Sequence, residues 1–434
     1  MKFDNDKRPL RILCISPLFA PAFNAEAFCA AKMVQSLLDS GASVTVLTSS
    51  NLCAPGSDTS AVWDSLRNVA SDVRQLSHSD MLRSVKAAIR FQTSNYARWV
   101  SAMVERAAQL HLEANFDLVY SRSLPWSAHI VGFWCAKRFK LPWIANINDP
   151  WASPFNPVDP AHRLSVSRYN PLFWLKRTLR EADLITYPCE ALHQFHRELA
   201  RLDHPAEVIF HIGSSAKDGG QTDESEFRVV HAGNISGHTR RSLGTLLVGL
   251  KAFLQLCPEA SLHTKLVIVG KQETANEDLA RSLNLSSYVR HVGQVSYEQS
   301  LQYIAGSSVC VLVEAELGLG VYFPSKLADY IVARKPILAF SPSRGFVADL
   351  AGTGEVIRVG YDPSAACHAL AMLYRDFTRG RLASHRPSER MADQFDGGCI
   401  ARTFIALCKR TIAGRQSGAA GVFRTTDQDV RTEF

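Results

Sequence analysis

The chain has 434 residues, more than a single hydrophobic core usually serves, so we expect two domains. With 46% apolar and 21% charged residues it has the composition of a globular protein, and it contains no run of about 20 apolar residues that could span a membrane. The formal net charge is +7, but no nucleic-acid recognition motif accompanies it, so nucleic acid is not an expected partner.

Ten cysteines are scattered along the chain without a Cys-x-x-Cys pair. Isolated thiols of this kind are usually small core residues that stay reduced, whereas a structural metal site or a disulfide framework needs a recognisable spacing. We therefore expect a cytoplasmic protein without a bound metal.

Short apolar runs rich in β-branched residues alternate with longer amphipathic stretches throughout the chain. In the first half the expected strands are RILCIS, SVTVLTS, LVYSRS, PWIANIN, DLITYP and VIFHI, with helices at 24–40, 80–113, 126–139, 170–182 and 190–201. In the second half the expected strands are FRVVHAG, KLVIVG, VRHVGQ, SVCVLVE, PILAF and EVIRVG, with helices at about 240–256, 274–283, 297–306, 325–334 and 363–378. This alternation predicts an α/β fold, with parallel sheets that carry helices on both faces.

The polar segment SSAKDGGQTDESE, residues 214–226, has no apolar periodicity and indicates a linker or loop. It separates residues 1–213 from residues 227–393. Two doubly wound, Rossmann-like domains joined in this way would face each other across a cleft. Residues 394–413 predict one further helix, and the polar residues 414–434 predict a disordered tail.

Basic residues are concentrated in two places. The first group contains Arg83, Lys86 and Arg90, with Arg98 and Arg106 further along. The second contains Arg168, Lys176, Arg177 and Arg180, interleaved with Tyr169, Phe173 and Trp174. Two solvated helix faces would explain these groups, but basic residues beside aromatic ones also suit an anionic membrane surface. The inner face of the plasma membrane is therefore an alternative location.

Doubly wound sheets bind ligands where the carboxyl ends of strands lead into helices. The loop after the first strand, residues 16–25, lacks Gly-x-Gly-x-x-Gly, which argues against a dinucleotide site. The equivalent loop of the second domain, HAGNISGHTRR, combines glycines that allow close backbone approach with Arg240 and Arg241 before a helix. Guanidinium groups suit phosphate, so we expect an anion site, the alternative being a tight turn with solvated arginines.

A second glycine-rich turn, residues 318–320, follows the strand SVCVLVE, and Pro324 fits the first turn of the next helix. Lys326 in that turn opposes the helix dipole unless an anion joins it. Asp329, one turn later, has the chemistry to accept hydrogen bonds from a ribose. These residues predict a site for a nucleotide diphosphate, the alternative being an exposed charge pair worth about 0.2–0.5 kcal/mol.

Five segments resemble those of retaining glycosyltransferases of family 4, which have the GT-B architecture. They are SPLFAPAFNAEAFCAAKMVQSLLDSGASVTVLTS, PWIANINDPWASP, VVHAGNISGHTRRSLGTLLVGLKAF, VRHVGQVSYEQSLQYIAGSSVCVLV and FPSKLADYIVARKPILA. The resemblance runs from about Arg11 to about Arg410. It implies transfer of a sugar from a nucleotide diphosphate donor in the second domain to an acceptor against the first, with retention and no cofactor. The basic aromatic groups would suit a lipid-linked acceptor in surface polysaccharide or glycolipid assembly, the alternative being a soluble acceptor.

The resemblance also implies roles for individual residues. The family's basic pair, which binds the diphosphate, maps to Lys326 and to Arg240, with Arg241 as the alternative to the latter. The carboxylate that holds the ribose maps to Asp329, and a histidine near the donor sugar maps to His129.

The remaining expected donor-binding residues lie in the loops at the carboxyl strand ends of the second domain: Gly233, Asn234, Gly293, Gly318, Gly320 and Ser325. On the acceptor side the expected residues are Asn148, Asp149 and Trp151. The terminal helix is expected to cross back to the first domain.

Two departures from the family pattern keep other functions open. Val321 stands where many relatives carry a glutamate, and Asn146 and Asn148 replace charged residues. The alternatives are a non-catalytic protein that binds a nucleotide sugar or a partner, and a GT-B nucleotide-sugar epimerase.

Overall fold

The computed structural model describes residues 8–49, 61–72, 94–151, 166–216, 225–235, 241–271 and 274–417. The predicted first basic group lies largely outside these residues, as do Arg240 and residues 418–434 of the predicted tail.

Seven parallel strands form the first sheet, in the order β3-β2-β1-β4-β5-β6-β7. They are β1 (Arg11–Ile15), β2 (Ser43–Thr48), β3 (Ala70–Asp72), β4 (Leu118–Arg122), β5 (Trp143–Asn146), β6 (Leu184–Tyr187) and β7 (Ala206–Val208). The helices of this half are α1 (Ala25–Asp39), α2 (Ser94–Ala114), α3 (Ser127–Phe139), α4 (Val166–Glu181) and α5 (Glu190–Ala200).

Six parallel strands form the second sheet, in the order β10-β9-β8-β11-β12-β13. They are β8 (Phe227–Ala232), β9 (Thr264–Val269), β10 (Val289–Gly293), β11 (Val309–Val313), β12 (Ile337–Phe340) and β13 (Ile357–Arg358). The helices that follow in the chain are α6 (Gly244–Leu256), α7 (Thr274–Ser282), α8 (Tyr297–Ala305), α9 (Ser325–Val332), α10 (Phe346–Gly352), α11 (Pro363–Thr378), α12 (Glu389–Gln394) and α13 (Gly397–Gln416).

The central strands β4, β5, β6 and β11 are buried along their whole length, as expected for parallel strands with helices on both faces. In each sheet the strand order reverses beside the first strand, between β1 and β4 in one and between β8 and β11 in the other. A ligand binds at such a reversal, outside the carboxyl ends of the strands. This topology therefore determines where the functional site can lie.

Two strands differ from the sequence prediction. The run VIFHI contributes only its first residue to β7, because residues 209–212 leave the sheet and run towards the second domain. The three-residue strand β3 was not predicted, since its residues ASD have neither the length nor the apolar character of a strand.

The helix α13 returns the chain to the first domain. The ring of Phe404 packs 4.6 Å from that of Tyr120, and Arg415 Nη1 lies 2.6 Å from Asp183 Oδ2. At its start, a Cβ on Gly397 would lie only 2.4 Å from Ser36 Oγ of α1, so a side chain there would displace that hydroxyl. This helix continues to Gln416, three residues beyond the predicted end at 413 and into the segment predicted as a disordered tail.

The second basic group lies on α4 and is partly used for packing. The side chain of Trp174 is buried, and the guanidinium of Arg177 stacks 4.6 Å from the ring centroid of Phe133 on α3. Phe173, at 42% relative exposure, and Arg180 are exposed. Within the described ranges, none of the helices combines the length and apolar character needed to cross a membrane.

Candidate functional site

A cleft of about 480 Å³ lies between the two sheets, at their carboxyl strand ends. The first domain lines it with the start of α1 and the loop after β5. The second domain lines it with the loops after β8, β9 and β10 and with the start of α9. Of the residues predicted from the sequence, the structure brings the following to this cleft: Gly233, Asn234, Arg241, Ser325, Lys326, Asp329, Asn148 and Asp149.

Lys326 lies half-buried in the first turn of α9 and lines the second domain's wall. His231 Nδ1–H donates to the carbonyl oxygen of Val311 (3.1 Å), so its Nε2 is left to accept from Lys326 Nζ at 3.4 Å. A Cβ on Gly233, whose φ is +135°, would lie 2.4 Å from the same Nζ. The loop after β8 is therefore shaped around the lysine, and Gly233 leaves the room that it occupies.

The environment of Lys326 disfavours its positive charge unless an anion binds beside it. Burial, and to a smaller extent the positive charge of Arg241, lower its pKa to about 7. A bound anion would raise the pKa of Lys326 again, because it supplies a counter-charge. The positive amino end of α9 also attracts an anion to this place.

Arg241 is the second basic residue of this wall. Its Nε is buried and has no hydrogen-bond partner among the residues that the structure describes. An arginine that lines a cleft with an unsatisfied nitrogen is suited to a ligand that brings its own oxygen atoms. Arg240, the other arginine that the sequence favours for this role, lies outside the described residues.

The opposite wall, from the first domain, is acidic. Asn148 Nδ2 donates to Glu26 Oε1 at 2.6 Å, and the buried Arg122 lies 3.6 Å from the same oxygen. Burial raises the pKa of Glu26 to about 8, against the opposing charge of Arg122. Burial also raises the pKa of Asp149, which Arg241 partly offsets from the other wall. The cleft thus has a basic side and an acidic side.

Asp329 lies at the cleft but is held differently from the prediction. Its Oδ1 accepts hydrogen bonds from Lys32 Nζ (3.0 Å), Tyr297 Oη (3.0 Å) and the backbone N–H of Ser214 (2.9 Å). The alternative of an exposed pair between Lys326 and Asp329 is therefore wrong. Lys32 and Tyr297 were not predicted; the available signal is a lysine on the apolar face of AEAFCAAKMVQSLLD, four residues after Phe28.

Two predicted residues are packed inside the first domain, away from the cleft lining. His129 is fully buried, with its ring 5.3 Å from that of Trp151 and its Nδ1 2.8 Å from Ser121 Oγ. The backbone N–H of Trp151 donates to Nε2 of His196 at 2.9 Å. The geometry gives both residues packing positions, so the catalytic role predicted for His129 and the acceptor contact predicted for Trp151 find no support in it.

Three predicted glycines also lie outside the cleft lining. Gly293 ends β10 with φ +81°, and its carbonyl accepts from the N–H of Gly270. A Cβ on Gly318 would meet nothing, whereas one on Gly320 would lie 3.3 Å from Glu314 Oε1. Burial raises the pKa of Glu314 to about 8, opposed by Arg241. The 318–320 turn thus packs over a buried glutamate that neighbours the cleft arginine.

The described ranges hold no group of three or more His, Cys, Asp or Glu side chains arranged to bind a metal ion.

Comparison with known proteins identifies the fold. Residues 27–213 match a family model described as a glycosyl transferase 4-like domain. A search of curated proteins gave no significant match. Sucrose-phosphate synthase (tll1590) from Thermosynechococcus elongatus is 16% identical with a TM-score of 0.66, over 93% of this chain and 100% of that one.

Two further solved structures align over almost their whole length. Anabaena Alr3699/HepE in complex with UDP and glucose is 14% identical with a TM-score of 0.64, over 92% of this chain and 100% of that one. A putative UDP-N-acetylglucosamine 2-epimerase from Listeria monocytogenes is 11% identical with a TM-score of 0.57, over 93% and 97%. At these identities the likeness shows the fold, so the predicted pair of doubly wound domains, GT-B, is confirmed. The predicted resemblance to glycosyltransferase family 4 is confirmed for residues 27–213 by the family-model match.

Proposed function

We propose that this chain, whose residues 27–213 match a glycosyl transferase 4-like domain within a GT-B fold, transfers a sugar from a nucleoside diphosphate donor to an acceptor hydroxyl. The observation that carries the proposal is the joint position of Lys326, Arg241 and the amino end of α9 on one wall of the interdomain cleft. Two cations and a helix dipole are what a departing diphosphate needs as its charge develops.

In the proposed mechanism the donor diphosphate lies against Lys326 and Arg241. Positive charge there stabilises the leaving group as the bond from the anomeric carbon to oxygen breaks. The acceptor hydroxyl attacks on the same face of the sugar and passes its proton to a diphosphate oxygen, which gives retention. Because two side chains supply the positive charge, the mechanism needs no metal ion.

The acceptor is proposed to lie against the first domain, where Asn148 and Asp149 line the cleft beside Glu26. Carboxylate and amide oxygens suit the hydroxyl groups of a sugar. A lipid-linked acceptor in surface polysaccharide or glycolipid assembly, at the cytoplasmic face of the membrane, fits the half-exposed aromatic and basic side chains of α4. UDP-sugars are the first donors to test, because the Anabaena structure with this fold contains UDP and glucose.

The proposal is tested in two steps. A thermal-shift screen with UDP-, GDP- and ADP-sugars should raise the apparent melting temperature for one class of donor, because a ligand that binds only the folded state stabilises it. Incubation of that donor with an acceptor panel should then give a glycosylated product. NMR should show the same anomeric configuration in the product as in the donor. A new nucleotide sugar formed from donor alone would identify an epimerase, and binding without turnover on any acceptor would identify a non-catalytic protein.

The pKa of Lys326 predicts how donor binding depends on pH. In the ligand-free protein the side chain of Lys326, with a pKa of about 7, is charged below that pH and increasingly neutral above it. A diphosphate binds the charged form, so binding above pH 7 must take up a proton, and affinity should fall by up to about tenfold for each further pH unit. We expect calorimetry with UDP between pH 7.5 and 9 to show this slope, with proton uptake seen in buffers of different ionisation enthalpy. The Lys326→Met variant controls for ionisation of UDP and of the cleft carboxyls, and an identical slope in both proteins would contradict the prediction.

A further inference from the structure

One buried ion pair joins the two domains beside the proposed donor site. Lys32 on α1 of the first domain reaches Asp329 on α9 of the second, with Nζ 3.0 Å from Oδ1. Tyr297, at the start of α8, donates its hydroxyl to the same oxygen and lies 3.3 Å from Nζ. The backbone of Ser214, between the domains, donates to it as well. We call these four residues the interdomain latch.

Aromatic rings shield the interdomain latch from solvent. Phe28, one helical turn before Lys32, lies 5.2 Å from the ring of Tyr297 and 5.5 Å from that of Trp63. The rings of Trp63 and Tyr297 are 5.4 Å apart. Lys32 and Asp329 are consequently only 7% and 6% exposed.

Because Lys32 and Asp329 are buried, each charge needs the other as its partner. Burial alone would lower the pKa of Lys32, but Asp329 and then Tyr297 raise it above its ordinary value. Removing one partner leaves the other as an uncompensated charge in a dry contact, which is far costlier than losing a surface pair. The positions of Asp329 and Tyr297 therefore depend on the first domain being docked.

The interdomain latch also belongs to the wall of the cleft. Asp329 and Tyr297 both line it, and Asp329 follows Lys326 by three residues on α9, a rise of about 4.5 Å. A nucleotide whose diphosphate lies on Lys326 would therefore place its nucleoside part within reach of Asp329 and Tyr297. Inorganic pyrophosphate would occupy the basic wall without reaching them.

We propose that Lys32 is a positioning residue for the donor: by holding Asp329 and Tyr297 in place, it couples docking of the first domain to binding of the nucleoside part of the donor. This inference rests on the proposed function, since it needs a nucleoside diphosphate in the cleft. Lys32 acts through Asp329 and Tyr297, and its loss should affect ligands that carry a nucleoside and spare those that do not.

The experiment compares UDP, GDP and ADP with inorganic pyrophosphate by calorimetry on the full chain. We first identify the nucleoside diphosphate that binds wild-type protein best. We expect Lys32→Met to lower the affinity for it by about 5- to 150-fold, the usual range of coupling between two sites. Pyrophosphate affinity should change less than about twofold, and the loss with a sugar donor should appear in KM more than in kcat. Lys137→Met, which removes the exposed lysine of an ion pair between α3 and Glu181 of α4, is the matched control and should leave both affinities unchanged.

A second variant covers the case in which Lys32→Met does not fold. Lys32→Met/Asp329→Asn removes both charges and so leaves no unpaired charge in the contact. A merely structural lysine predicts that this protein regains nucleoside diphosphate affinity, which would overturn the inference; we expect it to bind pyrophosphate normally and nucleoside diphosphates weakly. Equal losses for both ligands in Lys32→Met would overturn it too. Wild-type protein that binds neither ligand would overturn the proposed function, and this inference with it.

Discussion

Replacing Lys326 with methionine is expected to lower kcat/KM for the sugar donor by about 100- to 1,000-fold, the usual cost of losing one preorganised group that stabilises transition-state charge. Methionine keeps the unbranched stem that Gly233 leaves room for, so the packing of the loop after β8 should survive. What is lost is the charge that the diphosphate meets as it departs. Because that charge grows as the bond breaks, the effect should fall on kcat at least as strongly as on KM.

The measurement is steady-state kinetics with the donor identified by thermal shift. Lys265→Met is the matched control, since Lys265 is an exposed lysine at the opposite, amino end of the same sheet. It should retain wild-type turnover. If Lys326→Met kept more than about a third of wild-type kcat/KM while the donor still bound, Lys326 would not stabilise the leaving group, and the mechanism would have to be redrawn.

The sequence was sufficient for the parts of this molecule that depend on local pattern. Alternating apolar runs and amphipathic stretches predicted the two parallel sheets, because burial on both faces forces continuous apolar strands. The position of Lys326 was also predictable, since a cation in the first turn of a helix is unfavourable without an anion. Both inferences use residues within one element and its immediate neighbours.

The role of Asp329 shows where local reasoning ends. Its spacing from Lys326 left an exposed pair along one helix as the alternative to a ribose contact, but its partner Lys32 is 297 residues away in the sequence. Only the docking of α1 against α9 brings the two together, and nothing in the periodicity of either helix encodes that docking. The same limit applies to Tyr297, which begins a helix of ordinary amphipathic pattern.

His129 and the glycines of the 318–320 turn show a second limit. A histidine in an amphipathic helix can face either a cleft or the core, and the ring of Trp151 decides in favour of the core. Glycines at a carboxyl strand end can approach a ligand or another part of the chain; Gly320 approaches Glu314 and bridges to Gly345. The residue types indicated the chemistry available at these positions, but not whether each residue faces the cleft or the interior of the protein.

Replacing Arg241 with alanine is expected to lower kcat/KM for the donor by about 100-fold, because it removes one of two cations that meet the diphosphate. Arg241 lines the cleft and its buried Nε lacks a partner among the described residues, so its charge is available to a ligand. Its neighbour gives the matched comparison: the assignment of the diphosphate contact to Arg241 predicts a smaller effect for Arg240→Ala. A larger loss in Arg240→Ala would exchange the two assignments and restore the order that family resemblance first suggested.

A second readout separates a direct charge effect of Arg241 from a packing effect. Burial raises the pKa values of Glu314 and Asp149, and the charge of Arg241 holds both lower than burial alone would. In Arg241→Ala both pKa values should rise further, so these carboxyls stay protonated to higher pH. If either must be ionised for turnover, the acid limb of the pH profile of kcat/KM moves to higher pH, whereas Arg241→Lys, which keeps the charge, should leave that limb in place. A profile unchanged in shape in Arg241→Ala, with activity lowered uniformly, would show that Arg241 acts on the diphosphate alone and that the acidic wall does not take part in the rate-limiting step.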